Sequence, residues 1–251
     1  MVKRKIRKNI YFLVATIFAF LLYNGNSSKN KSNSSKNKIY LLPTIHNLHK
    51  INKNYSYDSL IQIIKNLNPD IIAVEIRAED INQDSTYLRK NYPYEMRMMK
   101  YWFPNAKIVG FDWLGSDIEG KPIAKDYWKN ISHLKKLERE LNSDSVYSEK
   151  IAKCSRFMNQ RLNILKQLSL QGILKSNDAL LTKKFYKCFS EQLTGSKYEM
   201  LLDFYGKRNE KILRNIKDII KKNRGKTIVF IMGDDHYIYL KDKIDHEKLF
   251  K

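Results

Sequence analysis

The chain has 251 residues, 43% of them hydrophobic and 29% charged. That balance excludes intrinsic disorder and suits one sizeable globular domain. The formal net charge of +21 invites a nucleic-acid partner, but residues 1–38 hold nine Lys/Arg and no Asp/Glu, leaving 38 basic against 26 acidic residues in the remainder. In that remainder the signs mix along helix faces, as in Lys135-Lys136-Leu137-Glu138-Arg139-Glu140. No DNA- or RNA-recognition motif occurs, so a solvated basic surface is expected rather than specific nucleic-acid binding. Such a surface also suits anionic partners or membrane headgroups.

Lys3, Arg4, Lys5, Arg7 and Lys8 precede an almost unbroken apolar run from Ile10 to Tyr23. The run is short for a free-standing membrane span and has the make-up of a secretory h-region. No small-x-small cleavage site follows, so residues 1–23 are expected to be a signal peptide or an uncleaved N-terminal anchor. The basic flank stays cytoplasmic and the rest is extracytoplasmic, either membrane-anchored or secreted/periplasmic. Residues 24–38, almost entirely Asn, Ser and Lys, cannot bury a core and form a flexible linker.

From residue 39 the pattern alternates strand and helix. Ile39-Tyr40-Leu41-Leu42 is a short buried strand that stops at Pro43. Apolar positions 57, 60, 61, 64 and 67 have helical spacing, and Asn68-Pro69 ends that helix. Asp70 to Ile76 is a second buried strand, residues 86–103 are helical with a break at Pro93, and Lys107 to Phe111 is a third strand. Residues 125–223 read as a long, mostly helical lobe. Its last helix opens on a capping box at Ser196 and Glu199 and is stopped by Gly225. Thr227 to Met232 is the fourth strand. The expected fold is therefore α/β: one domain over residues 39–251, with a largely parallel sheet flanked by helices and a helical insertion between the third and last strands.

Cys154 and Cys188 form no CxxC unit, which excludes a zinc ribbon or a thioredoxin-type motif. Their spacing leaves open both a disulfide across two helices and two ordinary half-buried thiols. Tyr87, Tyr92, Tyr94, Tyr101, Trp102 and Phe103 crowd one region, and such aromatics belong to a core more often than to a ligand wall.

Ligands of a parallel sheet bind outside the carboxyl ends of its strands. Those ends carry His46, Glu75, Asp112 and the run Gly233-Asp234-Asp235-His236. Glu75 interrupts an apolar strand, and a buried carboxylate is costly unless paired, hydrogen-bonded or metal-bound. Arg77 or Arg208 could pair with it. Arg208 and Asn209 fall on or beside the apolar stripe of the last lobe helix. Arg208 could stabilise an oxyanion, or it could ion-pair with Glu75 or Asp112. Asp234 and Asp235 could ligate a cation or favour a helix start. His46, His49 and His236 each have a plain structural alternative as satisfied side chains, and His133 and His246 read as surface residues.

The glutamate strand Pro69-Asp70-Ile71-Ile72-Ala73-Val74-Glu75, the pair Arg208-Asn209 and the run Gly233-Asp234-Asp235-His236 resemble motifs of the TraB/PrgY/GumN (Tiki-like) group, within the erythromycin esterase/ChaN-like superfamily. Pro43-Thr44-Ile45-His46 departs from the family's first G-x-x-H motif by carrying Pro for Gly. The resemblance spans residues 39–245 and implies three activities. One is a divalent-metal-dependent peptidase, with Mn, Co or Zn held by His46, Glu75, His236 and Asp112. Another is a metal-free esterase. The third is non-enzymatic binding of a haem-type ligand. The hydrolase expected here acts on a peptide or small-molecule substrate with Glu75 as general base, His46 and His236 holding the water or metal, and Arg208 at the oxyanion.

Overall fold

The computed structural model describes residues 36–250, so the expected signal or anchor segment and nearly all of the expected linker lie outside the described residues. Four strands form one all-parallel sheet: β1 (Lys38–Thr44), β2 (Ile71–Arg77), β3 (Lys107–Asp112) and β4 (Thr227–Gly233), in the order β1-β4-β2-β3. The helices before the lobe are α1 (Tyr57–Leu67), α2 (Ser85–Asn91) and α3 (Tyr94–Trp102). The lobe holds α4 (His133–Ser143), α5 (Ser145–Ala152), α6 (Ser155–Gln167), α7 (Leu170–Lys175), α8 (Asp178–Leu193) and α9 (Glu199–Lys222). Helix α10 (Asp234–Leu240) follows β4 directly.

Strand side chains alternate between two cores, as the period of two requires. Leu42, Ile72, Val74, Val229 and Ile231 pack with α1, α2 and α3 through Leu60, Ile64, Leu88, Met96 and Met99. Leu41, Ile71, Ala73, Ile228, Phe230 and Met232 face the other way, onto Ile212, Leu213 and Ile216 of α9 and Leu240 of α10. Every residue of β2 is buried. A third cluster of Leu137, Leu141, Leu193, Tyr198 and Leu201 belongs to the lobe.

Two boundaries differ from expectation. Strand β1 runs through Pro43 to Thr44, pairing Pro43 with Met232 and Thr44 with Gly233. Proline lacks an N–H and is tolerated because β1 lies at the sheet edge; the Pro43 carbonyl accepts from the Tyr55 hydroxyl at 2.6 Å. The capping box also shifts. Helix α9 begins at Glu199 without a side-chain cap, and the Glu199 carboxylate accepts from Gly195 N, while Ser196 Oγ accepts from Tyr198 N. The expected break at Pro93 is present: α2 and α3 divide around it, because proline lacks the N–H an uninterrupted helix needs there.

Cys154 and Cys188 form a disulfide with a Cα–Cα distance of 5.7 Å, joining the start of α6 to α8. Such a bond persists in an oxidising compartment, which places the domain outside the reducing cytoplasm. Among the described residues no helix is long and apolar enough to cross a membrane.

Candidate active site

The site begins with an irregularity in β2. Its register with β3 runs from Val74 opposite Gly110 to Arg77 opposite Asp112, so β2 carries one residue more than β3 across that interval. Pairing of β2 with β4 ends at Val74 and Ile231. The bulge leaves Glu75 outside the ladder and re-aims its side chain. Gly110 has no side chain for a steric reason: a Cβ there would meet the carbonyls of Ile76 and Arg77.

Glu75 is buried and fully partnered. Its Oε2 accepts from Gly233 N at 2.7 Å, and its Oε1 accepts from Arg208 Nη2 at 2.8 Å and faces His236 Nε2 at 3.3 Å. Burial favours the neutral acid, but His236, Arg208 and His46 outweigh it and hold the carboxyl well below its usual range. Arg208 grips Asp112 with two parallel bonds, Nε to Oδ1 and Nη2 to Oδ2, both at 2.9 Å, and Nε also donates to the Trp113 carbonyl. Burial lifts the Asp112 carboxyl above its ordinary value, with Arg208 opposing. Arg208 is thus the ion-pair partner of both carboxylates. Arg77, the other partner considered for Glu75, instead binds Asp80 and the carbonyls of Ile118 and Lys121.

The two histidines differ in what they have left to offer. His236 Nδ1 is 2.6 Å from Asn209 Oδ1 while Nε2 faces Glu75, so both of its ring nitrogens are engaged. His46 has a left-handed backbone, φ 49°, just past the end of β1. Its Nδ1 lies 2.7 Å from Glu95 Oε1, which also accepts from Thr44 Oγ1 at 3.1 Å. Its Nε2 reaches over Gly233: a Cβ at 233 would stand 2.7 Å from that nitrogen and 3.4 Å from Glu75 Oε2. Glycine at 233 therefore answers to close approach of the imidazole, since its φ is an ordinary −55°. Burial works against the imidazolium, but the Glu95 hydrogen bond and the charges of Glu75, Glu95 and Asp234 raise the His46 pKa to about 9.

Asp234 and Asp235 meet Arg161, a buried arginine of α6 that also holds Asp178 at 3.0 Å. Tyr186 donates to Asp235 Oδ2 at 2.7 Å. Burial and the charges of Asp235 and Asp178 lift Asp234 to about 7 against the pull of Arg161. The cluster ties the lobe to the first turn of α10, beside His236.

These groups floor a cavity of about 580 Å³, walled by α8, α9 and α10. His46, Glu75, Arg208, Asn209, Asp234, Asp235 and His236 all line it, whereas Asp112 stands behind Arg208. His49 is a satisfied structural histidine, with Nδ1 on the Tyr55 carbonyl and Nε2 accepting from Ile45 N. His133 is exposed and His246 bonds the Ile244 carbonyl. The crowded aromatics pack away from the cavity: Tyr94 and Trp102 meet Tyr57, and Tyr87 and Tyr92 donate to Asp80. The cavity's own aromatics are Tyr186, Tyr205 and Tyr239.

Glu95 and Arg161 were not among the candidates read from the sequence, although a signal for each was there. Tyr92, Glu95, Met96 and Met99 follow i, i+3, i+4, i+7, so an acid occupies a core stripe. Arg161 stands four residues before buried Leu165 on α6 in the same way.

The donor set does not fit a divalent cation. Both oxygens of Asp112 and Oε1 of Glu75 are on Arg208, Oε2 of Glu75 is on a backbone N–H, and both nitrogens of His236 are engaged. The Arg208 guanidinium lies between the two carboxylates and bonds both. Among the described residues no group of three or more His, Cys, Asp or Glu side chains is arranged to hold a metal ion. The chain matches no protein-family model, no curated protein and no solved structure.

Proposed function

We propose that this chain is an extracytoplasmic hydrolase that cleaves a small-molecule ester by water activation, with no step through a metal. One observation carries the reading: His46 Nε2 and Glu75 Oε2 converge over Gly233 on the cavity floor, while buried Glu95 holds the other nitrogen of His46. Glu75, gripped by three donors, is a poor proton acceptor, which moves the general-base role to His46. Water held at His46 Nε2 gives that nitrogen a proton as its oxygen bonds to the acyl carbon. The tetrahedral intermediate then expels the alkoxide, which takes the proton back from the imidazolium and leaves as the alcohol. Glu95 and Glu75 stabilise the transient imidazolium, and Arg208 keeps Glu75 ionised and in place. The reading sits on the metal-free side of the TraB/PrgY/GumN resemblance; residues 1–23 serve as signal or anchor.

The test is p-nitrophenyl acetate turnover by the purified chain. Activity is expected to rise with pH through about 9, where His46 loses its proton. It is expected to fall about 10²-fold or more in His46→Ala and to survive dialysis against EDTA. Turnover retained in His46→Ala, or abolished by EDTA and restored by Mn²⁺, would overturn the proposal.

A further inference from the structure

Gly206 lies inside the 24-residue helix α9 with ordinary right-handed backbone, where glycine is a poorer helix former than alanine. Packing does not require it, because a Cβ there would meet nothing within 4 Å. Position 206 is nonetheless not on an idle face. Leu202, Tyr205, Gly206 and Asn209 all line the cavity and follow i, i+3, i+4, i+7, so Gly206 sits mid-way along the helix face that forms the wall. Tyr186 and Tyr239 line the same cavity from α8 and α10. The three tyrosine hydroxyls are tied to carboxylates, Tyr186 to Asp235, Tyr205 to Glu138 and Tyr239 to Glu210. What the tyrosines have left for a ligand is ring surface.

We infer that the gap at Gly206 is a subsite for a planar aromatic group of the substrate, seated flat on the bare backbone of α9 among Tyr186, Tyr205 and Tyr239. This names the substrate class of the proposed hydrolase, an aromatic ester, and rests on that reading for the chemistry but not for the binding. Offset stacking and edge contacts among tyrosine rings suit such a group, and a cavity of about 580 Å³ admits one with room for the scissile bond over His46.

The experiment uses the full-length chain, with Gly206→Ala and Gly206→Leu. Gly206→Ala is expected to raise Tm by about 2–4 °C, as relief of a helix-interior glycine does. Gly206→Leu fills the subsite. Its affinity for 2-naphthol, followed by fluorescence, is expected to weaken about tenfold or more, and its kcat/KM ratio of 2-naphthyl acetate to ethyl acetate to fall by a similar factor. A lowered Tm in Gly206→Ala would make the glycine structural and overturn the inference. So would unchanged 2-naphthol binding and an unchanged ester ratio in Gly206→Leu, even with hydrolysis intact. A wild type that cleaves neither ester, yet binds 2-naphthol and loses it in Gly206→Leu, would remove the hydrolase proposal and leave the subsite standing.

Discussion

Glu75 and Glu95 are both buried carboxylates, but they are held in opposite ways. Glu75 has partners on both oxygens, whereas Glu95 bonds His46 and Thr44 through Oε1 and leaves Oε2 buried without a hydrogen-bond partner. The hydrogen bond to this carboxylate is the first of the influences that raise the His46 pKa against burial. Glu95→Gln is therefore expected to bring the His46 pKa from about 9 down toward its ordinary 6.5, read by NMR titration of the ring; an unmoved titration would show that Glu95 does not set it. The sign for stability follows. The His46 contribution is complete below pH 6.5 and is lost as pH rises through about 9. Glu75 has the reverse sign: its folded value lies below its ordinary one, so its contribution is present at neutral pH and disappears in acid. Glu75→Ala removes the acceptor of the Gly233 N–H and leaves Arg208 with Asp112 as its one carboxylate partner, and is expected to cost about 3–5 kcal/mol in urea unfolding. A loss under about 1 kcal/mol would mean the clamp contributes little.

At the scale of elements, the bulge in β2 and the glycine opposite it act together. Residues 71–74 pair with β3 in strict register, and the extra residue after Val74 brings the Ile76–Arg77 backbone against Gly110. Gly110→Ala must push that backbone away, so a destabilisation of about 1–3 kcal/mol is expected, as for overpacked positions. The Glu75 hydrogen bonds to Gly233 and Arg208 should loosen with it. The measurement is chemical denaturation together with exchange protection of the Gly233 amide; full stability and full protection would show that the bulge tolerates the methyl. Unbroken apolar runs, Ile71 to Val74 in β2 and Ile228 to Met232 in β4, made the strands legible from the sequence, because both faces of the sheet are covered. The bulge was not legible. It depends on which residues of β3 lie opposite, and register is a tertiary property.

On the scale of the whole molecule, the lobe packs on the sheet through α9 and through Leu165, Leu170 and Ile173 of α6 and α7, and buried polar links add to that contact. Arg161 joins Asp178 of α8 to Asp234 and Asp235 at the start of α10, and the Cys154–Cys188 disulfide joins α8 to the start of α6, the helix that carries Arg161. Replacing both cysteines with serine opens a cross-link between residues 34 apart in sequence. The expected loss is about 2–4 kcal/mol. Hydrogen exchange should rise first in α6 and α8 rather than in the sheet, since the strands keep their own core. Uniform exchange changes across sheet and lobe would mean the two unfold as one unit.

The α/β class, the parallel sheet, the four strands and the helical lobe followed from local pattern alone, because runs of apolar residues and helical stripes report what each segment must bury. The arrival of His46, Glu75 and His236 at one sheet edge followed from the same source, since parallel strands put their carboxyl ends on one side. Tertiary structure decided the rest. It assigned Arg208 to bridge Glu75 and Asp112, made Cys154 and Cys188 a bonded pair, and brought Glu95 to His46 across 49 residues of chain. Those choices depend on the distance and direction between side chains from separate elements. No single segment carries that information, and packing of the whole domain supplies it.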